Sequence, residues 1–179
     1  MSRQIIAISG PPGAGKSTVL QPLATALNAT AVQYDDFEVI TSWPPEKVVA
    51  WLDSGAPFEN VVAPGLYDRL VSISGPIVLE TPFGRCCPRT GPLVTTAVWL
   101  ECPADLALSR KLSALTAAGA GDSGFATMLE GWLAAYRGFT RRALQLQRDR
   151  VRPTADFEVR ADDAAENVVS SILSALKAA

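Results

Sequence analysis

Gly10-Pro11-Pro12-Gly13-Ala14-Gly15-Lys16-Ser17-Thr18 is the stretch on which the fold turns. It satisfies G-x-x-x-x-G-K-[ST], with Gly10, Gly15, Lys16 and Ser17 at the fixed positions. Glycine lets the backbone turn tightly, so the N–H groups from Gly10 through Gly13, Ala14 and Gly15 to Thr18 can converge on phosphate oxygens. Lys16 adds a positive charge for the outer phosphates, and the Ser17 hydroxyl is a hard oxygen ligand suited to Mg²⁺. Thr18 to Leu27 reads as a helix whose N-terminus points its partial positive charge at the same anion. Just before the loop, Gln4-Ile5-Ile6-Ala7-Ile8-Ser9 is a short apolar run of the kind found in a buried parallel strand. Strand, glycine-rich loop and helix follow in the order that binding a nucleoside triphosphate requires.

The rest of the chain repeats that alternation. Ala31 to Tyr34, Ile77 to Glu80, Ala97 to Glu101 and Phe157 to Val159 read as further short strands. Helices are predicted from about Glu46 to Leu52, from Pro103 to about Leu115, from Phe125 to Arg150 and from Ala164 to Lys177. Residues 56–75, rich in Gly, Pro and Ser, read as an irregular loop region with a short strand or two. Ala117 to Gly124 reads as a flexible tip. Strands alternating with helices predict an α/β fold with a five-stranded parallel sheet covered on both faces. The whole chain, 1–179, is expected to form one domain with a small helical lid near 110–142.

Composition bounds the function. The 179 residues are 48% hydrophobic and 19% charged with a net charge of −2, the balance of a globular protein. No block of Lys or Arg marks a nucleic-acid footprint, and no apolar run reaches transmembrane length. With the first strand starting within a few residues, no signal peptide is expected. Three cysteines, Cys86, Cys87 and Cys102, fit reduced thiols used as small apolar filler in a cytoplasmic protein. The absence of histidine removes His-based acid–base catalysis, His-metal sites and Ser-His triads.

Ligands of open parallel sheets sit at the carboxyl ends of the strands, where Asp35, Asp36 and Glu80 lie. Phosphoryl transfer needs a carboxylate to orient or deprotonate the attacking hydroxyl, and further oxygens around the metal. Asp35 or Asp36 suits the first role and Glu80 the second. Cations must then offset the charge of the transition state. Arg110 and Lys111 before the tip, Arg137, Arg141 and Arg142 after it, and Arg85 and Arg89 beyond Glu80 are the choices, with Arg110 first among them.

In order along the chain, these elements resemble the uridine kinase-like family of P-loop kinases, which includes phosphoribulokinase, pantothenate kinase and nicotinamide riboside kinase. Tyr34-Asp35-Asp36-Phe37 is similar to the family's Asp-x-Phe segment, which places Asp35 at the general-base position. Pro64-Gly65-Leu66-Tyr67-Asp68 is similar to its Pro-x-Tyr-Asp element, so Tyr67 would approach the acceptor. Leu79-Glu80 matches its strand-end glutamate near the metal. Asp105 to Lys111 resembles its lid-entry helix, with Arg110 meeting the phosphates. Val151 to Asp156 resembles the loop near the adenine, which brings in Pro153. The family's His-Pro-Asp stretch is replaced here by Ser42-Trp43-Pro44-Pro45-Glu46, and its acceptor-site histidine is absent. The resemblance implies ATP and Mg²⁺, a small-molecule hydroxyl acceptor held by Asp35, Tyr67, Glu80 and Arg85, catalysis by Lys16, Asp35 and Arg110, and a monomer or homodimer. Three rivals stand beside this: a nucleoside-monophosphate kinase, a toxin- or antibiotic-type phosphotransferase, and a non-catalytic ATP-binding regulator.

Overall fold

The computed structural model describes residues 4–178; residues 1–3 and 179 of the expected domain lie outside the described residues. Five strands form one parallel sheet: β1 (Ile5–Ser9), β2 (Thr30–Gln33), β3 (Ile77–Glu80), β4 (Thr96–Glu101) and β5 (Phe157–Arg160). Their spatial order is β2-β3-β1-β4-β5.

The apolar content of each strand explains its place. β1 and β3 are buried along their whole length, whereas β2 and β5, at the edges, keep mainly one buried residue each. A strand covered on both faces reads as an unbroken apolar run, as the sequence does at both β1 and β3. Alternation along β1 sends Ile5 and Ala7 to one face and Ile6 and Ile8 to the other, and each face has its own core. α1 (Lys16–Ala26) and α7 (Ala165–Lys177) cover the Ile6 and Ile8 face through Val19, Leu20, Leu23, Val168 and Ile172. α2 (Pro45–Asp53) and α3 (Leu66–Ser72) cover the other through Trp51, Leu66 and Leu70.

α3 departs from the sequence reading, which left 56–75 irregular with short strands. Gly65, at φ 82°, makes a left-handed entry that only glycine adopts cheaply. Leu66 and Leu70, one helical turn apart, are then both fully buried, each gaining about 1.5–3 kcal/mol. That burial overrides the local glycine and proline content.

α4 (Ala104–Ala118) leads into the glycine-rich turn at 119–124, and a continuous helical path returns from it. The path comprises α5 (Phe125–Ala135), a π-turn (Tyr136–Thr140), α6 (Arg141–Leu146) and a second π-turn (Gln147–Val151), with right-handed helical dihedrals at every junction. No helix among the described residues is long and apolar enough to cross a membrane.

Candidate active site

Strand order assembles the site. β3 lies between β2 and β1, so Glu80 pairs in register with Gln33 on one side and Ile8 on the other. Residues just beyond these three strand ends are neighbours: the loop after Ser9, Asp35 after Gln33, and Glu80 itself. They open onto one cleft of about 870 Å³, which Gly13, Gly15, Lys16, Ser17, Thr18, Asp35, Glu80 and Arg110 all line. That volume is in the range of small-molecule sites.

The loop is built for close approach. Gly15, at φ 86°, is the left-handed residue that caps α1 and starts it at Lys16. Gly13 has the same φ, and a Cβ there would lie 1.9 Å from the Ala107 carbonyl oxygen, because the loop packs directly on α4. Lys16 Nζ donates to the Pro11 carbonyl oxygen at 3.2 Å, and the Ser17 hydroxyl donates to Glu80 Oε1 at 3.1 Å.

Charge and burial conflict at these two side chains. Glu80 is only 7% exposed, and desolvation pushes its carboxyl pKa above the usual range; Lys16 and the Ser17 bond oppose the shift, while Asp35 and Asp36 add to it. Burial holds the Lys16 ammonium below its ordinary pKa, against the attraction of Glu80 and Asp35 and in the same direction as repulsion from Lys111. Asp35, in the short turn Tyr34–Asp36, is exposed at the cleft's lip. A hydroxyl and a carboxylate are hard oxygen donors of the kind Mg²⁺ takes, and Mg²⁺ commonly has one or two protein ligands besides phosphate and water. Ser17 and Glu80 therefore fit that ion. Among the described residues no group of three or more His, Cys, Asp or Glu forms a metal cage of its own.

Three residues expected to touch ligand are engaged elsewhere in the structure. Arg85 forms a two-pronged pair with Asp156, at 2.9 and 2.6 Å, and also donates to the Thr95 and Thr154 carbonyls; its fork is used to tie the β3–β4 loop to the start of β5. Tyr67 lies under the Arg89 guanidinium, 5.1 Å from ring centre to Cζ, and does not line the cleft. Pro153 sits in the turn Arg152–Thr154, pinned by Arg152 to Glu158, and is likewise away from the cleft. Arg110 does line the cleft, but its guanidinium donates to the Ala161 oxygen at 2.6 Å and the Asp163 oxygen at 3.4 Å. It braces the wall below β5 rather than reaching for the mouth of the loop. Lys111, close enough to lower the Lys16 pKa, is the α4 cation beside that mouth.

The helical path after the turn at 119–124 supplies Arg141, one of the candidate cations, and beside it side chains that the sequence reading missed. Trp132, Tyr136, Thr140, Arg141, Gln147 and Arg148 line the cleft, as do Thr41 and Pro82. Arg148 is committed, donating to Glu101 Oε1 at 2.8 Å and to the Cys102 oxygen at 3.1 Å. The Arg141 guanidinium, by contrast, makes no hydrogen bond or ion pair with any described residue. All three cysteines are free, and burial raises the Cys86 and Cys102 thiol pKa values, as suits filler rather than nucleophiles.

No protein-family model matches the chain. The shikimate kinase of Corynebacterium efficiens is 40% identical over 84 residues, 44% of this chain and 50% of that enzyme, so the match spans about half of the relative's length. Among solved structures, shikimate kinase from Acinetobacter baumannii in complex with shikimate aligns at TM-score 0.59 and 16% identity, over 99% of this chain and 94% of the other. A gluconokinase from Sinorhizobium meliloti aligns at 0.56 and 17%, over 97% and 91%. Shikimate kinase from Aquifex aeolicus aligns at 0.53 and 18%, over 98% and 97%. The fold is that of the P-loop kinases. The expected α/β architecture with its five-stranded parallel sheet is therefore found. The relatives are shikimate and gluconate kinases, so the likeness read from the sequence holds for P-loop kinases at large and not for the uridine kinase branch in particular.

Proposed function

We propose that the protein is an ATP-dependent kinase that transfers the γ-phosphoryl group to a hydroxyl of a small metabolite. The observation that carries this is the meeting, on one cleft, of the P-loop Lys16, the Ser17–Glu80 oxygen pair at 3.1 Å and the Asp35 carboxylate. The loop amides and Lys16 would grip the phosphates of ATP. Ser17 and Glu80 would hold Mg²⁺, which when bound neutralises charge on the phosphate oxygens. Asp35, exposed and on the neighbouring strand end, is the base: it takes the acceptor's hydroxyl proton as that oxygen bonds to the γ-phosphorus. The bond from the γ-phosphorus to the bridging oxygen breaks, and ADP leaves with the electron pair. The products are a phosphate monoester, ADP and a proton. Lys111 and Arg141 are placed to offset the charge that spreads over the transferred group.

The named relatives act on shikimate and gluconate, hydroxylated small molecules in keeping with an alcohol acceptor here. A uridine kinase-like acceptor is the finer form of the same reading. Three free thiols go with a cytoplasmic setting. The test is ADP release from Mg·ATP by the purified chain across a panel of small alcohols. One acceptor should raise release well above the rate without it and return as its phosphate ester. Tight ATP binding with no stimulated release by any acceptor would make the protein an ATP-binding regulator instead.

A further inference from the structure

Trp132 and Tyr136 stack on each other with ring centres 5.4 Å apart and planes 25° from parallel, and both line the cleft. The helix that carries them is apolar, yet α5 has no buried residue. Two aromatic rings held against one another, half-buried and facing a ligand cleft, form a platform with apolar area still to cover.

The helix is shaped to present it. At about 100° per residue, the i+4 series Trp132, Tyr136, Thr140, Leu144, Arg148 would drift about 160° around an unbroken α-helix. A π-turn inserts about one extra residue and winds the face back by about 100°, so one of them within the series takes back most of the drift. The π-turn at Tyr136–Thr140 stands within that series, the second, at Gln147–Val151, only begins at its end, and all five residues line the cleft.

The platform borders the segment that follows the Asp35 turn. Its π-turn packs on α2, and Arg142 pairs with Asp53 at the end of that helix. Arg110, held by the Ala161 and Asp163 carbonyls, lines the cleft near the end of β5. Arg141 and Thr140, one turn on from Tyr136, are free to meet substituents at a ring's edge.

We infer that the acceptor is an alcohol carrying a planar ring, which stacks on the Trp132–Tyr136 face while its hydroxyl reaches Asp35. This rests on the kinase reading above. The transfer is unchanged: the ring-bearing alcohol's oxygen gains the phosphoryl group, its proton goes to Asp35, and ADP departs. Shikimate, whose puckered ring is mostly sp³ carbon, and open-chain gluconate would cover the platform poorly.

The experiment measures ADP release from Mg·ATP by the full chain with nucleosides, pyridoxine and aryl-methanols on one side and shikimate and gluconate on the other. An alcohol carrying a planar aromatic ring should be the best acceptor. Trp132→Ala should raise its KM on the order of 10-fold while kcat changes less than about threefold, with the KM for ATP unmoved. Trp132→Phe, which keeps a ring, should recover most of the loss, and a melting scan confirms that each variant folds. If shikimate or gluconate is preferred and its KM ignores Trp132→Ala, the ring assignment falls and the kinase reading stands. A rise in the KM for ATP would move the platform to the adenine and also overturn it. Silence from every acceptor, with ATP bound, removes both.

Discussion

Replacing Asp35 with Asn tests the chemistry most directly, because the change is isosteric and sits at an exposed position. An exposed substitution of this kind should alter folding stability by no more than about 0.5 kcal/mol. The amide cannot take a proton, so the variant forfeits general-base catalysis, typically a factor of about 10²–10⁴, or about 2.7–5.5 kcal/mol of barrier. The local charges set a second, opposite effect on binding. Asp35 raises the pKa of both Lys16 and Glu80. Neutralising it lets Glu80 ionise at lower pH and removes a negative charge from a cleft meant for anions. Mg·ATP should therefore bind as well as before or slightly more tightly, and its binding should persist to lower pH. Acceptor-dependent ADP release gives kcat, and titration calorimetry with Mg·ATP gives Kd. Turnover within tenfold of the parent would strike Asp35 from the mechanism in favour of Asp36. A Kd weakened by tenfold would place Asp35 on the nucleotide rather than the acceptor.

Glu80→Gln should abolish the Mg²⁺ dependence of ATP binding and lower turnover by at least about 10²-fold. Because the folded pKa of Glu80 lies above its unfolded value, the native state binds more protons, and the stability cost of this group grows as pH rises through that window. The variant should accordingly melt no lower than the parent at pH 7, which a thermal scan checks; a clear drop would mean that the Ser17 and Lys16 contacts outweigh desolvation. Arg85→Met should cost about 1–2 kcal/mol in a denaturant titration, given a half-exposed pair, and leave the KM for ATP alone. Arg85 holds the Asp156 carboxyl below its usual range, so the pair's contribution is present above the unfolded pKa and lost as pH falls through the folded one. The parent's acid-side loss of stability should be shallower in the variant, and a raised KM without destabilisation would return Arg85 to the ligand. Arg141→Ala, removing the unpaired cleft guanidinium, should cut kcat/KM by about 10–100-fold with no shift in melting temperature; unchanged kinetics would show it to be a solvated surface charge.

Which parts of this were legible follows from what one dimension can carry. The five strands are short runs of buried residues, and burial on both faces leaves an unbroken apolar signal in β1 and β3. Lys16, Ser17, Asp35 and Glu80 share the cleft because each lies at or beyond a strand end, a position that sequence alone locates. The arginines were not separable in that way. Arg85 is spent on Asp156, 71 residues away, and Arg110 on Ala161, 51 residues away, so which guanidinium stays free is decided by tertiary neighbours. α3 was hidden by its glycine and proline, although the Leu66 and Leu70 spacing carried a signal. The cleft face of the helix from Phe125 was hidden for another reason. Sorting residues onto faces at 3.6 per turn fails where the π-turn at Tyr136–Thr140 shifts the register.

The burial of Glu80 joins fold to function. Inside a sheet, a carboxylate with 7% exposure and a hydroxyl partner would be replaced by an apolar side chain at no loss of stability, and often at a gain. The shifts of Glu80 and Lys16 run in opposite directions for one reason, since each is kept from its charged form by the same dry surroundings. A pair that favoured only its own neutralisation would form a simple salt bridge. Yet Lys16 donates to the Pro11 oxygen, Glu80 accepts from Ser17, and the structure gives no direct bond between the two charges. The lysine and the carboxylate feel each other's charge while each is bonded to another partner, and that arrangement suits an anion and a cation bound together better than it suits stability. Mg·ATP supplies both charges at once, so its binding should raise the melting temperature of the parent far more than that of Glu80→Gln.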